Sequence, residues 1–188
     1  DTDFTIGITE PYFMERDLVG SFDIFKRKNK SGDSTVNETG LSFGVGFAAA
    51  RDVYHKLRYD LSKSKTSVSS TTATSESGED GKSVYGSSVA YTVSKDLRDS
   101  RFDPTEGYFL ELDETVSGLG GDVKFLRTKL SGAYYKPLFF KSVIVGLAGE
   151  AGHISGLGDK VTQSKRFYLG GRKIRGFDGG GIGPRDAG

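Results

Sequence analysis

Leu41-Ser42-Phe43-Gly44-Val45-Gly46-Phe47-Ala48 changes polarity at every step. Leu41, Phe43, Val45 and Phe47 fall on one side of an extended chain, and Ser42, Gly44, Gly46 and Ala48 fall on the other. A period of two is the spacing of a strand with one apolar and one polar face; a helix would need 3.6. Downstream, Leu57, Tyr59 and Leu61 oppose Lys56, Arg58, Asp60 and Ser62. Tyr85, Val89, Tyr91 and Val93 then oppose Gly86, Ser88, Ala90, Thr92 and Ser94. Looser versions start at Phe4, Leu18, Tyr108, Leu126 and Val143, so the pattern predicts about eight strands.

Composition narrows the class. Of 188 residues 27 are Gly, roughly 14% and about twice ordinary usage. The 22 aromatics are 13 Phe and 9 Tyr. With no cysteine there is no disulfide framework, thiolate metal site or cysteine nucleophile. The two histidines, His55 and His153, are too far apart for a helical zinc pair. A net charge of +1 gives no global case for nucleic acid. No apolar run reaches the ~18 residues of a membrane helix. A membrane β-barrel stays open, because its spans take only about 9–11 residues and alternate in polarity.

The connections alternate in character. Pro11 to Asp17, Ala49 to Val53, Asp96 to Glu106 and Pro137 to Lys141 are compact and turn-like. Between them lie polar segments, Arg27 to Asn37, Ser62 to Ser83 and Ser117 to Asp122, which read as loops. One end trimmed and the other elaborated is the habit of an outer-membrane barrel. A soluble sandwich alternates too, with its apolar face as core. Long strands, a polar face rich in Gly and Ser, and aromatics near strand ends favour the barrel. Those aromatics are Tyr12, Phe13, Tyr54, Tyr108, Phe109, Tyr134, Tyr135, Phe139 and Phe140, read as an interfacial girdle. The chain opens inside a strand and closes on a loop, so it reads as a piece of a larger protein.

The densest constellation is Phe167-Tyr168-Leu169-Gly170-Gly171-Arg172-Lys173-Ile174-Arg175-Gly176-Phe177-Asp178. It lacks the Gly-x-x-x-x-Gly-Lys-Ser/Thr spacing of a phosphate loop and the Gly-x-Gly-x-x-Gly of a dinucleotide site. An ordered loop remains, its glycines allowing close backbone approach and an Arg able to pair bidentately with a carboxylate. Gly170, Gly171, Ile174, Arg175, Gly176 and Phe177 resemble the Val/Ile-Arg-Gly-Phe signature of the BamA family in the surface-antigen superfamily. Two further segments match in order. Thr9-Glu10-Pro11-Tyr12-Phe13 resembles that family's strand-to-turn segment. Leu97 to Gly107 resembles its Asp-x-Arg-x-x-Pro-Thr-x-Gly turn, with Arg101, Asp103, Pro104, Thr105 and Gly107 as the turn residues.

The resemblance implies an all-β, antiparallel transmembrane barrel of sixteen strands, of which this chain holds about eight and ends in the sixth external loop. Residues 1–188 would form one partial barrel domain, with strands and turns over 1–152 and the Arg-Gly-Phe loop over 153–188. The resemblance places the family's periplasmic domains, first strands and closing strands outside these 188 residues. The implied role is folding and insertion of other barrels in the bacterial outer membrane, without covalent chemistry, metal or cofactor. Its partners would be nascent outer-membrane proteins, outer-membrane lipid and accessory assembly lipoproteins, and no nucleic acid. Arg175 would anchor the loop in the lumen. A polypeptide-secretion channel or passive pore of the same superfamily is the alternative. An enzyme is a third reading, from His153, Ser155 and Asp159, but Ser155 lacks the strand-to-helix elbow of a hydrolase nucleophile. Lys56, Arg58, Asp60, Glu111, Asp113, Arg127, Lys129 and Glu150 are expected to form mixed-sign networks along the lumen wall.

Overall fold

The computed structural model describes residues 2–31, 34–68, 83–122, 124–138 and 143–158. They form β1 (Thr2–Glu10), β2 (Val19–Ser31), β3 (Ser34–Ala50), β4 (Val53–Val68), β5 (Ser83–Asp96), β6 (Gly107–Ser117), β7 (Phe125–Leu138) and β8 (Val143–Gly156). Each strand pairs antiparallel with its neighbours in sequence, giving one eight-stranded meander in the order β1 to β8. Among the described residues the sheet is open, with β1 and β8 as its edges.

Register sorts the side chains onto two faces. Opposite Phe43 lie Phe22 on β2 and Tyr59 on β4, and Leu41 faces Ile24 and Leu61. Every described buried residue other than glycine, Ser87 excepted, sits on the opposite, polar face: Phe25, Ser42, Ala90, Thr115, Ser117 and Phe125. The apolar face is the exposed one, with Phe4 60% and Ile6 61% accessible. A soluble sandwich would bury that face against a second sheet; among the described residues there is a single sheet. Apolar outside and polar enclosed is the arrangement of a membrane barrel wall.

The structure corrects one reading of the connections. The polar segment Arg27 to Asn37 is a strand hairpin, with β2 reaching Ser31 and β3 beginning at Ser34. Likewise β4 continues to Val68, so the Ser62 to Ser83 segment begins as strand. Polarity does not end these strands, because the ladder is satisfied between neighbours whatever the side chains meet. At 17 and 16 residues, β3 and β4 exceed the roughly 9–11 that cross a bilayer and extend past it. At the other end of the chain β8 runs to Gly156, which places His153 to Gly156 in the strand rather than in the loop expected from 153.

The aromatic girdle is also only partly outward. Phe13, Tyr108 and Tyr134 do lie on the apolar side at the turn end of their strands. Tyr54, Phe109 and Tyr135 lie on the polar face instead. There, rings lie over glycines of neighbouring strands: Phe25 covers Gly40, Tyr54 covers Gly46 and Tyr135 covers Gly146. A Cβ at Gly40 would come within 2.6 Å of the Phe25 ring. Arg27 in turn stacks on Phe25, 4.4 Å from its centre. An aromatic laid on a strand glycine fills space the glycine leaves empty. Much of the glycine on β3 is therefore packing surface.

Candidate functional site

The connection from β5 to β6 is built around one carboxylate. Asp99 accepts hydrogen bonds from the backbone N–H of Ser100 at 3.0 Å, Thr105 at 2.9 Å and Glu106 at 3.1 Å. It also accepts from the Thr105 hydroxyl at 2.5 Å. These donors hold the carboxyl well below its ordinary pKa of 3.8, the Thr105 hydroxyl contributing most. Beside it, Arg98 grips Asp96 through two bonds of 2.8 Å, and Arg101 approaches Asp96 at 3.5 Å. Gly107 closes the turn at a φ of +105, where a Cβ would strike the Leu97 carbonyl.

Of the sequence-predicted turn residues, Thr105 and Gly107 are thus in the latch, and Arg101 is at its margin. Asp103 donates its N–H to Ser100 Oγ at 3.2 Å and is exposed. Pro104 is half-buried. Asp99 is not among the turn residues the motif singles out, and its position as first acid of the Asp-x-Arg-x-x-Pro-Thr-x-Gly pattern is the signal that points to it. Phe102 stands fully exposed at the apex.

At the first turn, Thr9 and Glu10 end β1, and Glu10 accepts the Tyr12 N–H at 3.2 Å. Pro11 and Tyr12 make the bend, and Tyr12 is exposed. Phe13 is tied back by its N–H to the Leu18 carbonyl at 2.8 Å. Its ring lies over Gly20 and meets Phe43 edge-on, with centres 6.2 Å apart. Met14 and Glu15 take left-handed φ of 57 and 59. Gly170, Gly171, Ile174, Arg175, Gly176 and Phe177 lie outside the described residues, as does Asp159.

The polar face carries the expected charges. Lys56, Thr92, Glu111, Asp113, Arg127, Lys129 and Glu150 line one cavity of about 470 Å³. Within it Lys129 pairs with Glu150 at 3.2 Å, and Asp113 accepts from Thr92 and Thr115. Arg58 and Asp60 pair separately at 3.0 Å on β4. Both signs are present and two of the pairs are in contact, while Arg127 donates to the Thr115 hydroxyl at 3.3 Å, which suits a wall holding itself together. His153 and Ser155 sit on the opposite, outward face, beside Thr128 and Leu126. His55, also outward, stacks on Phe47 and bonds the Tyr91 hydroxyl at 2.6 Å.

An inside-out meander with latched turns narrows the fold, and comparison with known proteins decides the family. The Omp85 superfamily domain matches residues 1–188. This chain belongs to the Omp85 superfamily. Among Omp85 relatives, the outer membrane protein assembly factor BamA of Neorickettsia risticii (strain Illinois) is 31% identical over 171 residues, covering 89% of this chain and 23% of that protein. The sorting and assembly machinery component 50 homolog of Xenopus tropicalis is 27% identical over 194 residues, covering 100% of this chain and 41% of its own length. The crystal structure of BamA from Haemophilus ducreyi lacking POTRA domains 1-3 superposes with a TM-score of 0.82 at 18% identity, covering 97% of this chain and 38% of that one. This Omp85 chain therefore spans less than half of each of these relatives, and its open sheet has the fold of part of an antiparallel transmembrane barrel.

Proposed function

We propose that this chain forms half of the barrel of an assembly protein that folds and inserts other β-barrels into the bacterial outer membrane. One observation carries the reading: an Omp85 chain whose sheet turns its apolar face outward and keeps a mixed-sign polar face inside. The work would be non-covalent. A strand entering hydrocarbon must find partners for every backbone N–H and C=O, and the exposed edge of an existing sheet offers them. Nascent outer-membrane proteins are then the substrates, with outer-membrane lipid and accessory assembly lipoproteins as partners. The bacterial location rests on the relative from Neorickettsia, whereas other relatives come from animals and a yeast. Arg175 would pin the signature loop inside the lumen, making it a positioning residue.

Depleting the full-length parent should lower the amount of heat-modifiable client barrel in the outer membrane, and Arg175→Ala should do so while leaving the parent folded. Unchanged client insertion together with a lost membrane conductance would replace this reading with a secretion channel or pore.

A further inference from the structure

The outward face of β2 to β4 changes chemistry along its length. Toward the turn end it is apolar, with Phe22, Ile24, Leu41, Phe43 and Leu61. Toward the other end two registered rows are basic and polar. Lys26, Thr39 and Lys63 stand side by side, and above them Lys28, Asn37 and Lys65. All six are exposed or nearly so. Neighbouring strands are about 4.8 Å apart and alternate residues about 7 Å apart. The four lysines therefore frame a patch roughly 10 Å by 7 Å, with a hydroxyl and an amide at its centre.

Charge is segregated by face. The acids of β2 to β4 are Asp23, Glu38 and Asp60, and register puts every one on the enclosed face. Two of the cations there have acidic partners, Arg27 with Asp3 at 3.6 Å and Arg58 with Asp60 at 3.0 Å, and Lys56 lines the cavity of that face with Glu111, Asp113 and Glu150. Among the described residues the four outward lysines make no ion pair. Lys63 instead lies 5.2 Å from the centre of the Tyr85 ring. Next to it is a dent of about 430 Å³ between Leu41, Leu61 and Tyr85, walled by Gly120 and Gly121 of the β6–β7 connection. That connection is fixed over β5, since Asp122 N–H bonds the Tyr85 carbonyl at 2.8 Å and its carboxylate accepts the Tyr85 N–H at 2.9 Å.

We propose that this border binds a phosphate-bearing anionic membrane lipid. The phosphate sits among Lys26, Lys28, Lys63 and Lys65, with Thr39 and Asn37 donating hydrogen bonds, and an acyl chain lies in the dent. Unpaired lysines at the edge of an apolar band attract anionic headgroups at about 1 kcal/mol each, roughly fivefold in affinity. The dent gives the chain of that lipid a fixed place, so the site is more than diffuse charge.

Native mass spectrometry of the full-length parent, titrated with dioleoylphosphatidylglycerol or dioleoylphosphatidylcholine, tests the site. Wild type should bind the anionic lipid at least about tenfold more tightly. Lys63→Gln/Lys65→Gln should lose about tenfold or more of that affinity with phosphatidylcholine unaffected, and Lys63→Arg/Lys65→Arg should keep it. Equal affinity in the Gln variant, or an equal loss in Lys136→Gln on the outward face at the turn end, would overturn the site. Heat-modifiable migration monitors folding. Should the Gln variant not fold, wild type decides alone: no preference for the anionic lipid, or one unchanged by molar salt, is also fatal to the proposal.

Discussion

Asp99 illustrates how much one exposed side chain can organise. Three backbone N–H groups and one hydroxyl converge on it, so the donors of Ser100, Thr105 and Glu106 are satisfied without secondary structure. In Asp99→Asn the negative charge that strengthens those bonds is gone. The amides of Thr105 and Glu106 should exchange with solvent faster, and the turn should become a preferred site of proteolysis. A change confined to the strands would contradict this. The pH dependence follows from the lowered pKa. The latch is fully present above the unfolded value of 3.8 and is lost only as pH falls toward the depressed folded value. Amide protection at Thr105 and Glu106 should therefore persist at pH 5 and fade below about 3. Gly107 makes the complementary point about backbone. At φ +105 any Cβ is strained and meets the Leu97 carbonyl, so Gly107→Ala should cost about 1–3 kcal/mol in thermal or denaturant unfolding of the detergent-solubilised parent.

At the level of the strand, glycine has two meanings that sequence does not separate. Gly20 lies under the root of the Phe13 side chain, where a Cβ would come within 2.6 Å of the ring, and a ring so close to its own Cβ cannot swing aside. Gly149 on the edge strand β8 meets nothing within 4 Å. Gly20→Ala should cost about 1–3 kcal/mol by overpacking, and Gly149→Ala about 0.5 kcal/mol or less. Equal losses in the two variants would show that packing against Phe13 is not what Gly20 provides. The same limit explains what was legible. The alternation from Leu41 to Phe47 fixes strand and face, because period two survives in either solvent. It does not tell which face is wet; the exposed side chain of Ile6 against the buried Ser42 does. Hairpin β2–β3 was read as a loop because polarity on both faces has no period, yet its ladder is intact from Val19 to Ser31. A place near a strand end predicts a girdle position for Tyr54 and Tyr135 but says nothing about the glycine each ring covers on the neighbouring strand. In the turn motif, Thr105 and Gly107 were legible from resemblance, whereas the hub Asp99 emerged only when its donors could be seen converging.

For the whole molecule the inside-out arrangement sets opposite rules for the two faces. An Arg at Leu41 would enter the lipid-facing band close to its border with the lysine rows and should cost about 1–2 kcal/mol, between the midplane and interface values. An Arg at Ser131 would face the interior between Glu111 and Glu150, its register partners on either side, and should cost less than about 1 kcal/mol. Equilibrium refolding of the parent into vesicles measures both; a smaller penalty at Leu41 than at Ser131 would reverse the assignment of faces.

The strictly sequential meander also bears on how fast the molecule is made. Each of the seven pairings joins a strand to the next one in the chain, so a hairpin can form and the following strand can zip onto it. Low contact order of this kind favours rapid, stepwise growth. Among the described residues no pairing joins strands that are not consecutive. The costly search falls at β1 and β8, whose outer sides have no neighbour among the described residues. In the complete barrel the slow event is thus the meeting of edges, and the wall between them forms ahead of it.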